Sequence, residues 1–211
     1  MPTLPAAARF SPQSVTGLVL AGGLGRRMGG EDKGLVELAG QPMIEHVLAA
    51  LRPQVGAVII NANRNLDRYA AYGHPVVPDE MSGFLGPLAG VASALPRLGS
   101  EFLLTVPCDA PLLSPDLARR LVDACVAARA DVAVASDGER LQPVFMLLRR
   151  TVASSLHAYL EGGGRKIDAW FAQVRLARAD FSDEPDCFVN VNEPAERQRI
   201  EARLVSPRAP R

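Results

Sequence analysis

The chain has 211 residues, and its 23 Lys and Arg balance 23 Asp and Glu to a formal net charge of zero; 48% of the residues are hydrophobic and 22% charged. At roughly 100–200 residues per domain this is one domain, able to bury about 70% of its unfolded surface without a disulfide or metal staple. The composition excludes a disordered chain, zero net charge excludes the broad basic footprint of a non-specific nucleic-acid binder, and no apolar run approaches the roughly 20 residues that span a bilayer.

In chain order, residues 1–14 (MPTLPAAARFSPQS) contain early prolines and no apolar stretch of signal-peptide type, and are expected to form a disordered extension. The folded domain is assigned to 15–204 and a flexible Pro/Arg tail to 205–211. Thr16–Ala21 is a short continuous apolar run ending in glycines, the pattern of a strand buried on both faces. Pro42–Arg52 places Met43, Ile44, Val47, Leu48 and Leu51 on one helical face. A strand over 56–62, a helix over 86–98 and a strand over 101–106 follow. Ser114 is expected as an N-cap with Pro115 at the first helical position, opening a helix to about Arg129. Residues 131–135 and 141–148 read as strands, the second at a sheet edge because of Pro143. Helices over 151–161 and 165–172, an extended Phe188–Asn192 and a helix over 193–204 complete the chain. The three cysteines, Cys108, Cys125 and Cys187, form no metal-ligand or CxxC pattern and read as reduced thiols of a cytoplasmic protein.

Strands alternating with helices imply an α/β domain with a mostly parallel sheet and helices on both faces. Ligands of such folds bind beyond the carboxyl ends of the strands, which directs attention to the loops after Ala21, Asn61 and Val106. After the first strand comes LAGGLGRRMGGEDKG, residues 20–34, where glycines let backbone N–H groups converge on an anion and Arg26, Arg27 and Lys33 add positive charge. Lys33 lies between Asp32 and Gly34, so this is not a P-loop, and Met28 stands where a dinucleotide fingerprint needs its third glycine.

This stretch resembles the nucleotidyltransferase signature LAGGxxxRMGxDK, and specifically that of the molybdenum cofactor guanylyltransferases. The resemblance extends over about residues 15–204 through Asn61-Ala62-Asn63-Arg64, Gly86-Pro87-Leu88-Ala89-Gly90, Pro107-Cys108-Asp109-Ala110-Pro111, Asp180-Phe181-Ser182-Asp183 and Phe188-Val189-Asn190-Val191-Asn192-Glu193-Pro194. The sequence departs from that pattern at Gly25, where Ser or Ala is frequent, and at Gln142-Pro143, where the guanylyl branch commonly has His-Pro.

The resemblance implies a single-domain Rossmann-like nucleotidyltransferase fold. It implies transfer of GMP from GTP to the phosphate of molybdenum-molybdopterin, with Mg²⁺ as cofactor. Leu20, Ala21, Gly22, Gly23, Lys33, Asn61, Asp79 and Asp109 are then nucleotide-binding residues, and Lys33, Asp109 and Arg27 carry the catalysis. Asp109, at the end of an apolar strand, is the expected metal ligand; the alternative is an N-cap for the next helix. Asp79 accepts either guanine edge donors or ribose hydroxyls. Asn190, Asn192 and Arg165 are candidate pterin contacts, against local backbone bonding for the asparagines and a solvated helix start for the arginine. The expected partners are GTP, molybdenum-molybdopterin, and an accessory protein or acceptor molybdoenzyme, with no nucleic acid or membrane, for a cytoplasmic monomer. Cytidylyl transfer from CTP, transfer to a sugar phosphate, and a non-catalytic cofactor carrier are the alternatives.

Overall fold

The computed structural model describes residues 10–23, 32–81, 86–191 and 194–205. Nine strands and seven α-helices are found among them. In chain order they are β1 (Val15–Leu20), β2 (Glu37–Leu38), β3 (Gln41–Pro42), α1 (Met43–Leu51), β4 (Ala57–Asn61), α2 (Leu66–Ala70), β5 (Val76–Val77), α3 (Pro87–Ala94), β6 (Phe102–Pro107), α4 (Leu117–Ala127), β7 (Val132–Ser136), β8 (Leu141–Arg149), α5 (Ala153–Glu161), α6 (Ile167–Phe171), β9 (Leu176–Asp180) and α7 (Pro194–Val205). Seven strands form one sheet in the order β5-β4-β1-β6-β8-β7-β9, and β2 with β3 makes a separate hairpin.

Alternation along the strands sends successive residues to opposite faces, and each face buries its own helices. Val19, Ile60 and Val106 pack with Ile44, Leu48 and Leu51 of α1 and with Leu121 and Cys125 of α4. Leu18, Ile59 and Leu103 pack with Leu88 of α3, Leu156 of α5 and Trp170 of α6. A smaller cluster of Leu38, Met43, Leu112, Val191 and Ile200 joins the hairpin, the loop after β6 and α7. The expected three-layer α/β architecture is what the chain adopts. No helix among the described residues is long and apolar enough to cross a membrane.

Pro12–Ser14, in the segment assigned to an N-terminal extension, form a 3-10 turn, and Phe10 packs on the first core; residues 1–9 lie outside the described residues. The helix expected to be capped by Ser114 begins two residues later. Asp116 occupies the capping position, while Ser114 Oγ accepts the Asp116 N–H at 3.3 Å within the preceding turn. The extended segment is also shorter at its start, because Phe188 closes a 3-10 turn over Pro185–Phe188.

β8 overturns the expectation of an edge. It lies inside the sheet, antiparallel to both β6 and β7. Pro143 is tolerated because the β7–β8 register shifts between Val134↔Met146 and Ala135↔Gln142, so the residues between fall in an irregularity where no ladder donor is required. On the other side, the β6–β8 ladder is recorded only as far as Leu104↔Leu147. There the buried Thr105 hydroxyl substitutes for it, donating to Val144 O at 2.6 Å and accepting from Met146 N at 3.4 Å. The edges are β5 and, on the β8 side, β9, whose residues alternate exposed and buried with only Ala177 and Ala179 inward.

Thr105→Val keeps the shape of the side chain but leaves the Val144 carbonyl without its donor. It is expected to destabilise the fold by about 1–3 kcal/mol, read as a lower urea midpoint at unchanged m-value.

Candidate active site

The parallel strands β4, β1 and β6 end side by side, with Leu20 opposite both Asn61 and Pro107. The backbone continues this alignment past the strands: Ala21 N–H donates to Asn61 O at 2.8 Å and Cys108 N–H to Leu20 O at 3.1 Å. Leu20, Ala21, Gly22, Gly23, Asn61 and Asp109 therefore share one rim, joined by Asp79 just past the end of β5. The amides of Gly22 and Gly23 make no hydrogen bond among the described residues, as an anion-binding turn requires.

Lys33 and Asp109, 76 residues apart in sequence, meet at this rim with Nζ 3.0 Å from Oδ2. Asp109 is mostly buried, and its carboxylate faces Lys33 rather than capping α4, whose capping residue is Asp116. Its main-chain carbonyl accepts the Val191 N–H at 2.9 Å, which fastens the segment containing Asn190 to the metal-candidate loop. Asn190 Oδ1 is itself buried without a hydrogen-bond partner among the described residues.

At the other end of the rim, two amides hold Asp79. Asn61 Nδ2 donates to Oδ1 at 2.8 Å and to Val77 O at 3.0 Å, and Asn63 Nδ2 donates to Oδ2 at 2.8 Å. Asn63 Oδ1 in turn accepts the Asp79 N–H at 2.8 Å.

A second set of residues anchors the segment that carries Lys33. Asp32 accepts the Tyr69 hydroxyl at 2.5 Å and Asn65 Nδ2 at 2.9 Å, and lies 3.6 Å from Arg64 Nε. Arg64 Nη2 reaches Gly23 O at 3.4 Å, so one guanidinium touches both flanks of the 24–31 stretch. Asn65 precedes α2 in the left-handed region at φ 51°, a conformation asparagine tolerates better than most residues. Burial first, then the nearby Cys108 and Asp32, pushes the Tyr69 phenol well above its ordinary value, so it stays a donor. Burial, reinforced by Asp109, likewise raises the Cys108 thiol, and burial with Glu184 pushes Cys187 up to about 12. Neutral, buried thiols suit packing rather than nucleophilic chemistry.

The rim thus gathers eight of the sequence candidates: Leu20, Ala21, Gly22, Gly23, Lys33, Asn61, Asp79 and Asp109. Arg27 and Asn192 lie outside the described residues. The Arg165 guanidinium donates to Leu160 O at 3.0 Å and Gly164 O at 2.6 Å, closing the carboxyl end of α5. Sequence reasoning did not single out Asp32, Asn63, Asn65 or Tyr69 for a role. The available signal was the run N-x-N-R-N-x-x-x-Y over 61–69, directly after a strand.

A mostly parallel α/β sheet, a glycine turn after β1 and a lysine–carboxylate pair beyond β6 define a nucleotidyltransferase of the doubly wound class. Residues 17–178 match the family model of the MobA-like NTP transferase domain. The molybdenum cofactor guanylyltransferase of Shewanella sp. (strain MR-4) is 54% identical over 190 residues, covering 90% of this chain and 96% of that protein. That of Shewanella loihica is 52% identical over 191 residues, covering 90% and 97%. The chain belongs to the MobA-like NTP transferases, on the molybdenum cofactor guanylyltransferase branch. Among solved structures, the molybdopterin-guanine dinucleotide biosynthesis protein A of Archaeoglobus fulgidus superposes with a TM-score of 0.75 at 24% identity, covering 90% of this chain and 98% of that one. A nucleotidyl transferase from Methanothermobacter gives 0.70 at 23% identity, covering 90% and 97%; these two likenesses establish the fold.

Removing the phenol hydrogen bond to Asp32 leaves a nearly buried carboxylate under-bonded beside Lys33. Tyr69→Phe is therefore expected to raise the nucleotide KM by roughly tenfold, the scale of a lost bond to a charged group, and to lower kcat less. Steady-state kinetics on folded variant protein check this; an unchanged KM would show that Asp32 needs no anchor from α2.

Proposed function

We propose that the chain transfers GMP from GTP to the terminal phosphate of molybdenum-bound molybdopterin, releasing pyrophosphate and forming the guanine dinucleotide cofactor. The observation that carries this reading is the rim itself: a glycine turn flanked on one side by Lys33–Asp109 and on the other by the amide-bound Asp79. The four strand ends involved span about three inter-strand spacings, roughly 14 Å, a reach suited to an extended nucleoside triphosphate. The activity in the names of the relatives, at half or more identity over nine-tenths of the chain, supports the choice of substrates.

In this reading the backbone of Leu20–Gly23 cradles the phosphates, with Lys33 and Arg27 supplying positive charge. Asn61 and Asp79 hold the nucleoside. An oxygen of the molybdopterin phosphate attacks the α-phosphorus of GTP; a new P–O bond forms as the bond to the β-phosphate bridging oxygen breaks, and pyrophosphate leaves with that oxygen. The attacking phosphate is anionic at neutral pH, so no strong general base is needed, and acceleration comes from positioning and charge neutralisation.

The donor set fits a divalent cation shared with the substrate. Among the described residues no cluster of three or more acidic, His or Cys side chains could hold a metal alone, and Asp109 offers one carboxylate whose Oδ1 takes no protein hydrogen bond there. Mg²⁺ is characteristically held by one or two carboxylates plus water and phosphate oxygens. Bound to Asp109, it would neutralise phosphate charge and favour departure of pyrophosphate. Asn190, whose buried Oδ1 has no partner among the described residues, and Asn192 suit a hydrogen-bonding edge such as a pterin, and Arg165 is retained as a candidate for the pterin phosphate. We place the reaction in the cytoplasm, catalysed by a monomer that passes its product to an acceptor molybdoenzyme directly or through an accessory protein.

Pyrophosphate release by purified protein with Mg²⁺ and molybdenum-loaded molybdopterin tests the reading. Release with GTP and not CTP is expected; release with CTP alone, or with neither nucleotide, overturns it. Lys33→Ala and Asp109→Ala are each expected to cut turnover by about 10²–10³-fold, the scale of losing one transition-state stabiliser. Near-normal turnover by Asp109→Ala would remove Asp109 from the metal site.

A further inference from the structure

Asn63 is an exposed side chain, yet both ends of its amide are committed to one residue. Its Oδ1 accepts the main-chain N–H of Asp79, an atom that can only donate, so its Nδ2 is the end that faces the Asp79 carboxylate. Asn61 is oriented as firmly, because its Nδ2 meets two acceptors, Val77 O and Asp79 Oδ1. Each carboxylate oxygen of Asp79 thereby receives one neutral N–H from the described residues. An ionised carboxylate has about four acceptor sites, so two remain, one on each oxygen.

Two neighbouring acceptors on a fixed carboxylate complement two neighbouring donors. Guanine presents such a pair on its Watson–Crick edge, N1–H and the N2 amine. Cytosine presents one amine and two acceptors on the corresponding edge, and an acceptor set against a carboxylate is repelled. The clamp also borders the phosphate turn, since a Cβ built on Gly22 would lie 2.9 Å from Asn63 Nδ2 and 3.1 Å from Asn61 Oδ1. The carboxylate is therefore fixed relative to the turn that would hold the phosphates.

We propose that Asn63 is a positioning residue for base selection: it sets the Asp79 carboxylate so that its two remaining acceptors take the N1–H and N2 amine of guanine. This inference rests on the assignment of Asp79 to the nucleoside. It adds a residue that touches no substrate and acts on the choice of base rather than on the rate of transfer.

Inosine triphosphate is the diagnostic probe, because it keeps N1–H and lacks the N2 amine. Equilibrium titration of the full-length protein with GTP, ITP and CTP in Mg²⁺ requires no turnover and so separates this inference from the proposed reaction. Wild-type protein is expected to favour GTP over ITP by about 10-fold or more, as for a lost hydrogen bond to a charged group, and over CTP by more. Asn63→Ala is expected to weaken GTP binding by roughly 10-fold and to shrink the GTP/ITP ratio towards one, with kcat at saturating GTP changing far less than KM. Asn63→Asp is isosteric and keeps an acceptor for the Asp79 N–H while removing the donor to the carboxylate. The oxygen that replaces it sets a second carboxylate against Asp79 Oδ2, and the repulsion is expected to turn the Asp79 carboxylate and abolish the preference for GTP over ITP, while an unchanged urea midpoint checks that the fold is kept. Wild-type protein that binds ITP as tightly as GTP, or variants that keep the wild-type ratio, would overturn the inference. Selective GTP binding that both variants lose, in a protein that releases no pyrophosphate, would uphold the inference while overturning the proposed reaction.

Discussion

The site depends first on β1 lying parallel between β4 and β6 in one register. Because Leu20 is level with Asn61 and with Pro107, the residues just past each strand emerge at the same height. Gly22, Asn63 and Asp109 come from three distant stretches of chain, yet each stands two residues past its aligned position. A strand shift of one residue would exchange the side chains packed against α1 and α4 with those packed against α3, α5 and α6, so the separate packing of Val19, Ile60 and Leu104 on one face and of Leu18, Ile59 and Leu103 on the other favours this register. The apolar core is thus the reason that polar groups meet at the rim. The hydrogen bonds past the strand ends, Ala21 to Asn61 and Cys108 to Leu20, extend the same alignment by one further step.

The three carboxylates near the rim are held in different ways, and the difference sorts what they can do. Asp109 is paired with a cation, Lys33, so the pair presents opposite charges side by side, suited to phosphate oxygens and a divalent ion. Asp32 is bonded by Tyr69 and Asn65 and flanked by Arg64, and its acceptor capacity is largely consumed by the protein. That saturation makes it an anchor for Lys33 rather than a ligand site. Among the described residues Asp79 is held by neutral amides alone, which fix its direction while leaving its charge and half of its acceptor sites to whatever binds.

Much of this was legible in the sequence where burial on both sheet faces writes a continuous apolar run. The strands now seen as β1, β4, β6 and β7 had that pattern, and the glycine turn, Lys33 and Asp109 follow from placing ligands beyond their ends. Residues whose roles arise through tertiary contacts were not legible. Pro143 argued for an edge because the sequence does not show that a register shift and the Thr105 hydroxyl would spare its missing donor. β9 escaped notice because its inward residues are only Ala177 and Ala179, too small to mark a strand. Tyr69 carries no mark of its role in the sequence, and only the packing of α2 against Asp32 and Cys108 shows it to be a buried donor.

The glycines carry a second lesson about the same rim. Read along the sequence, Gly22 belongs to a phosphate turn and Gly90 to the Gly86–Gly90 motif that opens a helix. In space both close on Asn61. A Cβ on Gly90 would collide with Asn61 Oδ1, and one on Gly22 would press on that oxygen and on Asn63 Nδ2. Asn61 is therefore fixed sterically on the side of its carbonyl oxygen and by hydrogen bonds on the side of its amine. The absence of side chains at two positions 68 residues apart is what lets two short amides sit close enough to hold Asp79. Gly22 thus serves both ends of the rim: its bare backbone is available to an anion, and its missing Cβ clears the space in which the carboxylate at the far end is set.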